Sequence, residues 1–210
     1  MTSHVQEAPH ETREEITFGH ELLRKATHMG ALVIPGGYYL LGLSKAQMLY
    51  IMVPITALMI LIDLSRLRGW RFWTNFAEPL VGGMVRSHEK DGDFTGATYI
   101  LTSVCCTVAL FARPIAVAAL AFIIVGDTLA AIIGRKFGRL RFGRKSVEGS
   151  LACLVGTVIV ALVAPDLSLQ AGIFGAVVAT VTEAVSLGID DNISVPVISG
   201  LAMSLFIRFF

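Results

Sequence analysis

Charge is scarce in this chain of 210 residues: Asp, Glu, Lys and Arg together make up 16% of it, against roughly a quarter in a soluble domain. Cysteine is scarcer still. Cys105, Cys106 and Cys153 lie in apolar sequence without the spacing of a disulfide framework or a zinc site, which leaves them as small core residues. No basic stretch followed by an apolar core opens the chain, so no cleavable signal is expected. The polar, acidic residues 1–15 read as a disordered tail ahead of a single domain over residues 16–210. What the chain has in plenty is apolar sequence, 54% hydrophobic with a mean hydropathy of +0.70, and that places it in a bilayer.

A helix needs about 20 mostly apolar residues to cross the hydrocarbon core. Seven stretches qualify as spans, at residues 27–43, 46–64, 95–111, 114–134, 148–164, 171–188 and 194–209, and short connections make them one bundle. The expected fold is therefore all-α: a polytopic membrane bundle of about seven transmembrane helices, with an N-terminal amphipathic helix and an interfacial helix. Pro35-Gly36-Gly37 and Pro54 fall inside two spans and predict kinks that neighbouring helices accommodate.

If the spans alternate, one side of the membrane receives fourteen of the seventeen Lys and Arg residues and the other only Lys45, Arg113 and Arg208. The positive-inside rule then puts the N-terminus in the cytoplasm and the C-terminus outside, in the inner membrane of a cell that has two. The net charge of +1 hides this asymmetry, and since topology already accounts for the basic residues, nucleic acid is not an expected partner. The polar groups inside the spans sort the same way: Glu21, Arg24, Lys25 and His28, then Asp63, Thr95, Thr98, Tyr99, Asp127, Ser146, Glu148, Glu183, Asp190, Asp191 and Asn192 all map to the cytoplasmic half. A transporter would place some of them at the midplane with a route onward, and a purely structural bundle has no reason to sort them.

Residues 21, 24, 25 and 28 share an arc of about 100° on a helix, opposite Leu22, Leu23 and Ala26; a solvated surface helix with a Glu21–Lys25 pair is the plain alternative to a functional face. Between Gly69 and Met84, a stripe of Trp70, Trp73, Ala77, Leu80, Val81 and Met84 suits a helix lying in the interface as an anchor.

The segment 126–150, GDTLAAIIGRKFGRLRFGRKSVEGS, carries the chemistry. A lone acid in an apolar span costs about 2.5–3.5 kcal/mol on insertion scales, so Asp127 must be paired, protonated or bound to a cation. Gly126, Ala130, Gly134 and Gly138 recur every fourth residue and form a smooth stripe for another helix or a ligand. A loop holding Arg135, Lys136, Arg139, Arg141, Arg144 and Lys145 follows. Its Gly143-Arg144-Lys145-Ser146 approaches the phosphate-loop pattern but misses it by one residue and follows no strand, so a P-loop fold is not expected while the phosphate chemistry survives. Ser146 is placed to cap the next helix, whose positive end faces the loop, and Glu148 in its first turn complements the dipole.

The ordered set of Arg24-Lys25 with His28, Arg86 and Glu89 before GATY at 96–99, GDxxA at 126–130, GxxxG followed by RKSVEGS, and Glu183 before Asp191-Asn192 and Pro196 resembles the phytol kinase, dolichol kinase and CTP-dependent diacylglycerol kinase family from Glu21 to Pro196. The resemblance implies transfer of the γ-phosphate of CTP to the hydroxyl of a membrane lipid alcohol: diacylglycerol, phytol or a polyprenol. It implies a nucleotide site of Gly126, Gly134, Lys136, Gly138, Arg144, Lys145, Ser146 and Gly149, and Mg²⁺ on Asp127 with Glu148 or Asp191. Catalysis would fall to Asp127, Lys145, His28 and Glu148, with the general base open between His28 and Asp127. Glu21, Arg24, Lys25, Arg86, Glu89, Gly96, Tyr99, Glu183 and Asn192 complete the motif without an assigned role. The acid, glycine, lysine and hydroxyl series is also similar to that of phosphatidate cytidylyltransferases, which defines a second enzymatic reading; a non-enzymatic transporter or structural bundle is the third. A homo-oligomer stays open.

Overall fold

The computed structural model describes residues 25–71, 73, 75, 93–143, 145–185 and 188–210. Glu21, Arg24, Arg86, Glu89 and Arg144, the tail 1–15 and most of the interfacial stripe between Gly69 and Met84 lie outside the described residues. The rest is nearly all helix: α1 (Val33–Leu40), α2 (Lys45–Leu67), α3 (Gly96–Leu110), α4 (Arg113–Phe137), α5 (Val147–Val163), α6 (Leu169–Val185) and α7 (Asp191–Phe209), with residues 25–30 also helical ahead of α1.

The expected spans fall on helices, the first of them on two, and their lengths differ in consequence. Three of them, α2, α4 and α7, are long and apolar enough to cross a membrane. The 15 residues of α3 and the 17 each of α5 and α6 are apolar but, at about 1.5 Å per residue, fall short of a hydrocarbon core of about 30 Å.

The first expected span is not one helix. Around residues 31–32 the hydrogen bonds tighten to Ala31 N–H on His28 O, Leu32 on Met29 O and Ile34 on Ala31 O, each 3.0 Å. Pro35 explains the break, because it has no N–H for the carbonyl four residues back and its ring crowds that carbonyl; within the first turn of a new helix it is tolerated. Pro54, by contrast, sits inside α2 without interrupting it.

The ends of the helices are built from local capping. Ser44 and Gln47 form a reciprocal capping box on α2, Thr95 accepts from Thr98 N–H on α3, and Asp190 accepts from Asn192 N–H at 2.9 Å on α7. Asp63 at the end of α2 is fully buried and accepts from Thr95 N–H (2.8 Å), Thr95 Oγ1 (2.9 Å) and Thr98 Oγ1 (2.6 Å), which ties the start of α3 to the end of α2.

The middle of the molecule is α4, which packs against α1, α3, α5, α6 and α7. Its Ala116, Ala118, Ala119, Leu120 and Phe122 are almost wholly buried, while Tyr50, Leu58, Leu110, Val155 and Val163 face outward from the surrounding helices. An apolar exterior around a packed apolar interior is what a bilayer solvates, and the chain is a membrane protein. One feature is not helical: Arg141–Phe142 (β1) pairs antiparallel with Lys145–Ser146 (β2) across a turn at Gly143, whose φ of +60° suits glycine.

Candidate active site

Antiparallel connectivity brings the end of α4, the start of α5, the end of α6 and the start of α7 to one end of the bundle. The hairpin between α4 and α5 is held in shape by groups the sequence assigned to phosphate or metal. Ser146 Oγ, in a residue 6% exposed, accepts the Gly149 N–H at 3.1 Å and so caps α5 as expected. The Glu148 carboxylate accepts the N–H groups of Arg139 (3.0 Å) and Leu140 (3.3 Å), and Val147 N–H closes the hairpin on Leu140 O. Glu148 is therefore taken up by backbone and does not join the lysines and acids of the site. Lys136 lies over its neighbour Phe137 at 5.3 Å from the ring centroid.

The glycine stripe is filled by a helix. A Cβ on Gly126 would come within 2.8 Å of Cys153 Sγ; one on Gly149 would meet Ala130 O at 2.9 Å; one on Gly138 would meet Ser146 Oγ at 2.8 Å; and one on Gly134 would meet that same atom at 3.0 Å. Of the two occupants the spacing allowed, α5 is the one found, and the close approach sets the depth at which β2 delivers Lys145.

Lys145 reaches inward from β2. Its ammonium donates to Glu183 Oε1 of α6 at 2.5 Å and to Asp191 Oδ2 of α7 at 2.9 Å. Burial disfavours the charged amine, but the Glu183 and Asp191 carboxylates outweigh it and hold the group above the ordinary lysine range. The second lysine comes from the N-terminal side. Lys25, 2% exposed, donates to Asp127 Oδ2 and, at 3.2 Å, to the Asp127 carbonyl, and His28 Nε2 stands 3.7 Å from the same carboxylate oxygen. The two sets of ion pairs lie at the same end of the bundle.

Sequence reasoning named Asp127, Lys145, His28 and Asp191 with roles, and the structure gathers these four. Lys25 and Glu183 carried no role and prove to be the partners of Asp127 and Lys145. Their pairings link positions 102 and 38 residues apart, which no local pattern encodes; the signals were that each is an ionisable group in or beside an apolar span and that each falls in the motif of the family resemblance. Asn192 sits at the start of α7 with its Nδ2 on Asp190 Oδ1 at 2.7 Å, Gly96 opens α3, and the Tyr99 ring stands edge-on to Phe94.

Two ammonium groups against three carboxylates leave the constellation net negative when His28 is neutral, so a polyphosphate could not bind beside it without further positive charge. The donor set fits a hard divalent cation: all three acids offer oxygen, and Glu183 Oε2 is buried without a hydrogen-bond partner among the described residues. Among those residues no three His, Cys, Asp or Glu side chains already surround one point, because Lys145 fills the place between Glu183 and Asp191.

No protein-family profile matches the chain, and no solved structure matches it. Among curated proteins it is 28% identical over 229 aligned positions to CTP-dependent diacylglycerol kinase 1 of Saccharomyces cerevisiae, covering 96% of this chain and 78% of the relative. It is 26% identical over 210 positions to the Schizosaccharomyces pombe protein of the same name, covering 89% and 93%. Over 148 positions it is 30% identical to a probable chloroplastic phytol kinase of Glycine max, covering 59% of this chain and 49% of that one. These relatives are diacylglycerol and phytol kinases, the group whose motif order the sequence resembles.

Proposed function

We propose that this chain is a CTP-dependent kinase that phosphorylates the hydroxyl of a membrane lipid alcohol at the cytoplasmic face of the inner membrane, with the seven expected spans crossing the bilayer, the first as the broken segment 27–43, and the N-terminus inside. The observation that carries the reading is the single constellation of Lys25, His28, Asp127, Lys145, Glu183 and Asp191 at one end of an apolar bundle. Structural ion pairs need not gather at one end of the bundle from the N-terminal segment, α4, the hairpin, α6 and α7; groups that serve phosphates and their counter-ion would.

In this reading Lys25 and Lys145 exchange their carboxylate partners for phosphate oxygens when CTP arrives, assisted from the loop by Lys136 and Arg144. Asp127, Asp191 and Glu183 would hold Mg²⁺, which when bound supplies neutralisation of the phosphate charge. The glycines at 126, 134, 138 and 149 serve the nucleotide indirectly, by letting α4 and α5 approach and fixing the hairpin; Ser146 does so by capping α5. The lipid hydroxyl oxygen forms a bond to the γ-phosphorus as the bond from that phosphorus to the β–γ bridging oxygen breaks, CDP leaves, and the hydroxyl proton passes to Asp127 or His28. Positioning and charge neutralisation carry the rate.

Purified enzyme given CTP labelled at the γ-phosphorus, Mg²⁺ and a panel of lipid alcohols should yield labelled lipid phosphate and CDP without pyrophosphate, with CTP outperforming ATP. Label from the α-phosphorus entering the lipid would instead establish the cytidylyltransferase reading. No transfer to any acceptor would leave the non-enzymatic reading in front.

A further inference from the structure

Buried hydroxyls on these helices have a regular way of satisfying their donor: Thr56, Thr128, Thr157, Thr180 and Ser199 each donate to the carbonyl four residues back, at 2.7–2.9 Å. Ser150, near the start of α5, departs from it. Its Oγ is buried and has no hydrogen-bond partner among the described residues. Glu183 of α6 carries a matching defect. The residue is 2% exposed; its Oε1 accepts from Lys145, while its Oε2 is buried with no partner among those residues.

The two atoms belong to facing positions. In the antiparallel pair of α5 and α6, a Cβ on Gly172 would meet Ala161 Cβ at 3.2 Å, and Thr157 Oγ1 reaches Ala176 O at 3.4 Å. Seven residues back from Thr157 and seven on from Ala176, two turns along each helix, the same faces present Ser150 and Glu183. A hydroxyl and a carboxylate oxygen are complementary, yet these two are not hydrogen-bonded to each other. That is the arrangement of oxygens that share a ligand. From the hairpin side, Lys145 joins Glu183 to Asp191, so one positive charge faces two negative ones. The Lys145 and Asp191 side chains are 23% and 26% exposed, which gives the pair a route from water.

We propose that Ser150 Oγ joins Glu183 and Asp191 as the seat of a divalent cation, and that the Lys145 ammonium is the tethered stand-in which the ion displaces. Two charges on the ion balance both carboxylates, which one ammonium does not. Hard oxygen donors from three helices, with the remaining positions left to water, suit Mg²⁺ or Mn²⁺. That this ion accompanies CTP, and that the displaced lysine then meets phosphate, rests on the kinase reading; that these oxygens and Lys145 form an exchangeable cation seat does not.

The test uses the full chain in phosphatidylcholine nanodiscs without nucleotide and titrates Mn²⁺ by the electron paramagnetic resonance signal of the free ion, with empty nanodiscs as the blank. Lys145→Met removes the tethered competitor and should bind one Mn²⁺ roughly tenfold or more tighter than wild type. Adding Ser150→Ala should weaken that binding by roughly tenfold, the scale on which metal sites respond to loss of one supporting group. Adding instead Thr157→Val, two turns deeper on the same face of α5, should not. In a background with Cys105, Cys106 and Cys153 replaced, Ser150→Cys should shift the preference from Mn²⁺ towards Cd²⁺, because a thiolate favours the softer ion. An affinity that Ser150→Ala leaves unchanged, as expected if Ser150 and Glu183 only share a structural water, overturns the proposal. So does Mn²⁺ binding that is absent or no tighter in Lys145→Met, and so does an equal loss in Thr157→Val, which would assign the effect to helix packing. The two readings fail separately. A Mn²⁺ seat that depends on Ser150, without label transfer from CTP, retains the seat and removes the kinase; label transfer with a Mn²⁺ affinity indifferent to Ser150→Ala does the reverse.

Discussion

Lys145 is the residue on which the electrostatics of the site turn, because among the described residues it alone holds two of the three carboxylates. On the proposed reading Lys145→Ala removes a charge that meets the phosphates in both ground and transition states, and charged hydrogen bonds of this kind are worth about 1.5–3 kcal/mol. The expected result is a loss of roughly ten- to a hundredfold in kcat/KM for CTP, with CTP affinity falling alongside, measured by isotherm and initial rates. Unchanged kinetics would return the residue to topology. The same lysine fixes a pH dependence. Its pKa is raised on folding, so its contribution to stability is fully present below the unfolded value and is lost as pH rises through the folded one. The difference in thermal midpoint between wild type and Lys145→Met should therefore stay constant from about pH 7 to 10 and shrink only beyond the ordinary lysine range. A wild-type midpoint that rises relative to Lys145→Met between pH 7 and 9 would mean that burial, and not the carboxylates, governs the group.

At the scale of elements, the contact between α4 and α5 decides whether the hairpin can present Lys145 at all. Gly149→Ala would press a methyl group to within 2.9 Å of a backbone carbonyl that cannot move aside, and overpacking of this kind costs about 1–3 kcal/mol. Gly36→Ala meets nothing within 4 Å inside α1 and should be neutral or stabilising by up to about 1 kcal/mol. Detergent-solubilised thermal unfolding separates the two, and equal midpoints would show that the glycines do not set the approach. This scale also shows what the sequence can and cannot reveal. A four-residue glycine period announces a smooth helical surface but not what lies on it, because a helix and a ligand need the same absence of side chains. The family resemblance implied Glu148 as a metal ligand, while its place in the first turn of α5 suggested only a complement to the helix dipole. The hairpin instead turns it onto the Arg139 and Leu140 amides, and a two-residue strand pair is too short to leave a periodic signal. The break before Pro35 was legible as a perturbation, but its depth depends on tertiary contacts.

Across the whole molecule, α4 is at once the most enclosed helix and the carrier of Asp127, so the acid of the site is fixed by the best-packed element while its cations come from the periphery, Lys25 from the N-terminal segment and Lys145 from the hairpin. That arrangement was legible in outline, since a lone acid in a central apolar span must find a cation. Which lysine it finds depends on how seven helices pack. The proposal requires both cations to approach from the same aqueous side, and the fourteen-to-three distribution of basic residues is the reason for proposing that this side is the cytoplasm. In a background with Cys105, Cys106 and Cys153 replaced, a cysteine introduced at Phe142, in the exposed β1, should react with a membrane-impermeant maleimide only when the cytoplasmic face is open. One at Ser168, in the exposed connection before α6, should react only from outside. Because α5 is the one helix between the two positions, this pair asks whether a 17-residue apolar helix crosses the membrane despite its length. A helix of about 25 Å can do so where the bilayer thins around it or its flanking residues reach outward. Labelling of both cysteines from one side would place α5 as a re-entrant element and break the alternation from which the cytoplasmic site is argued.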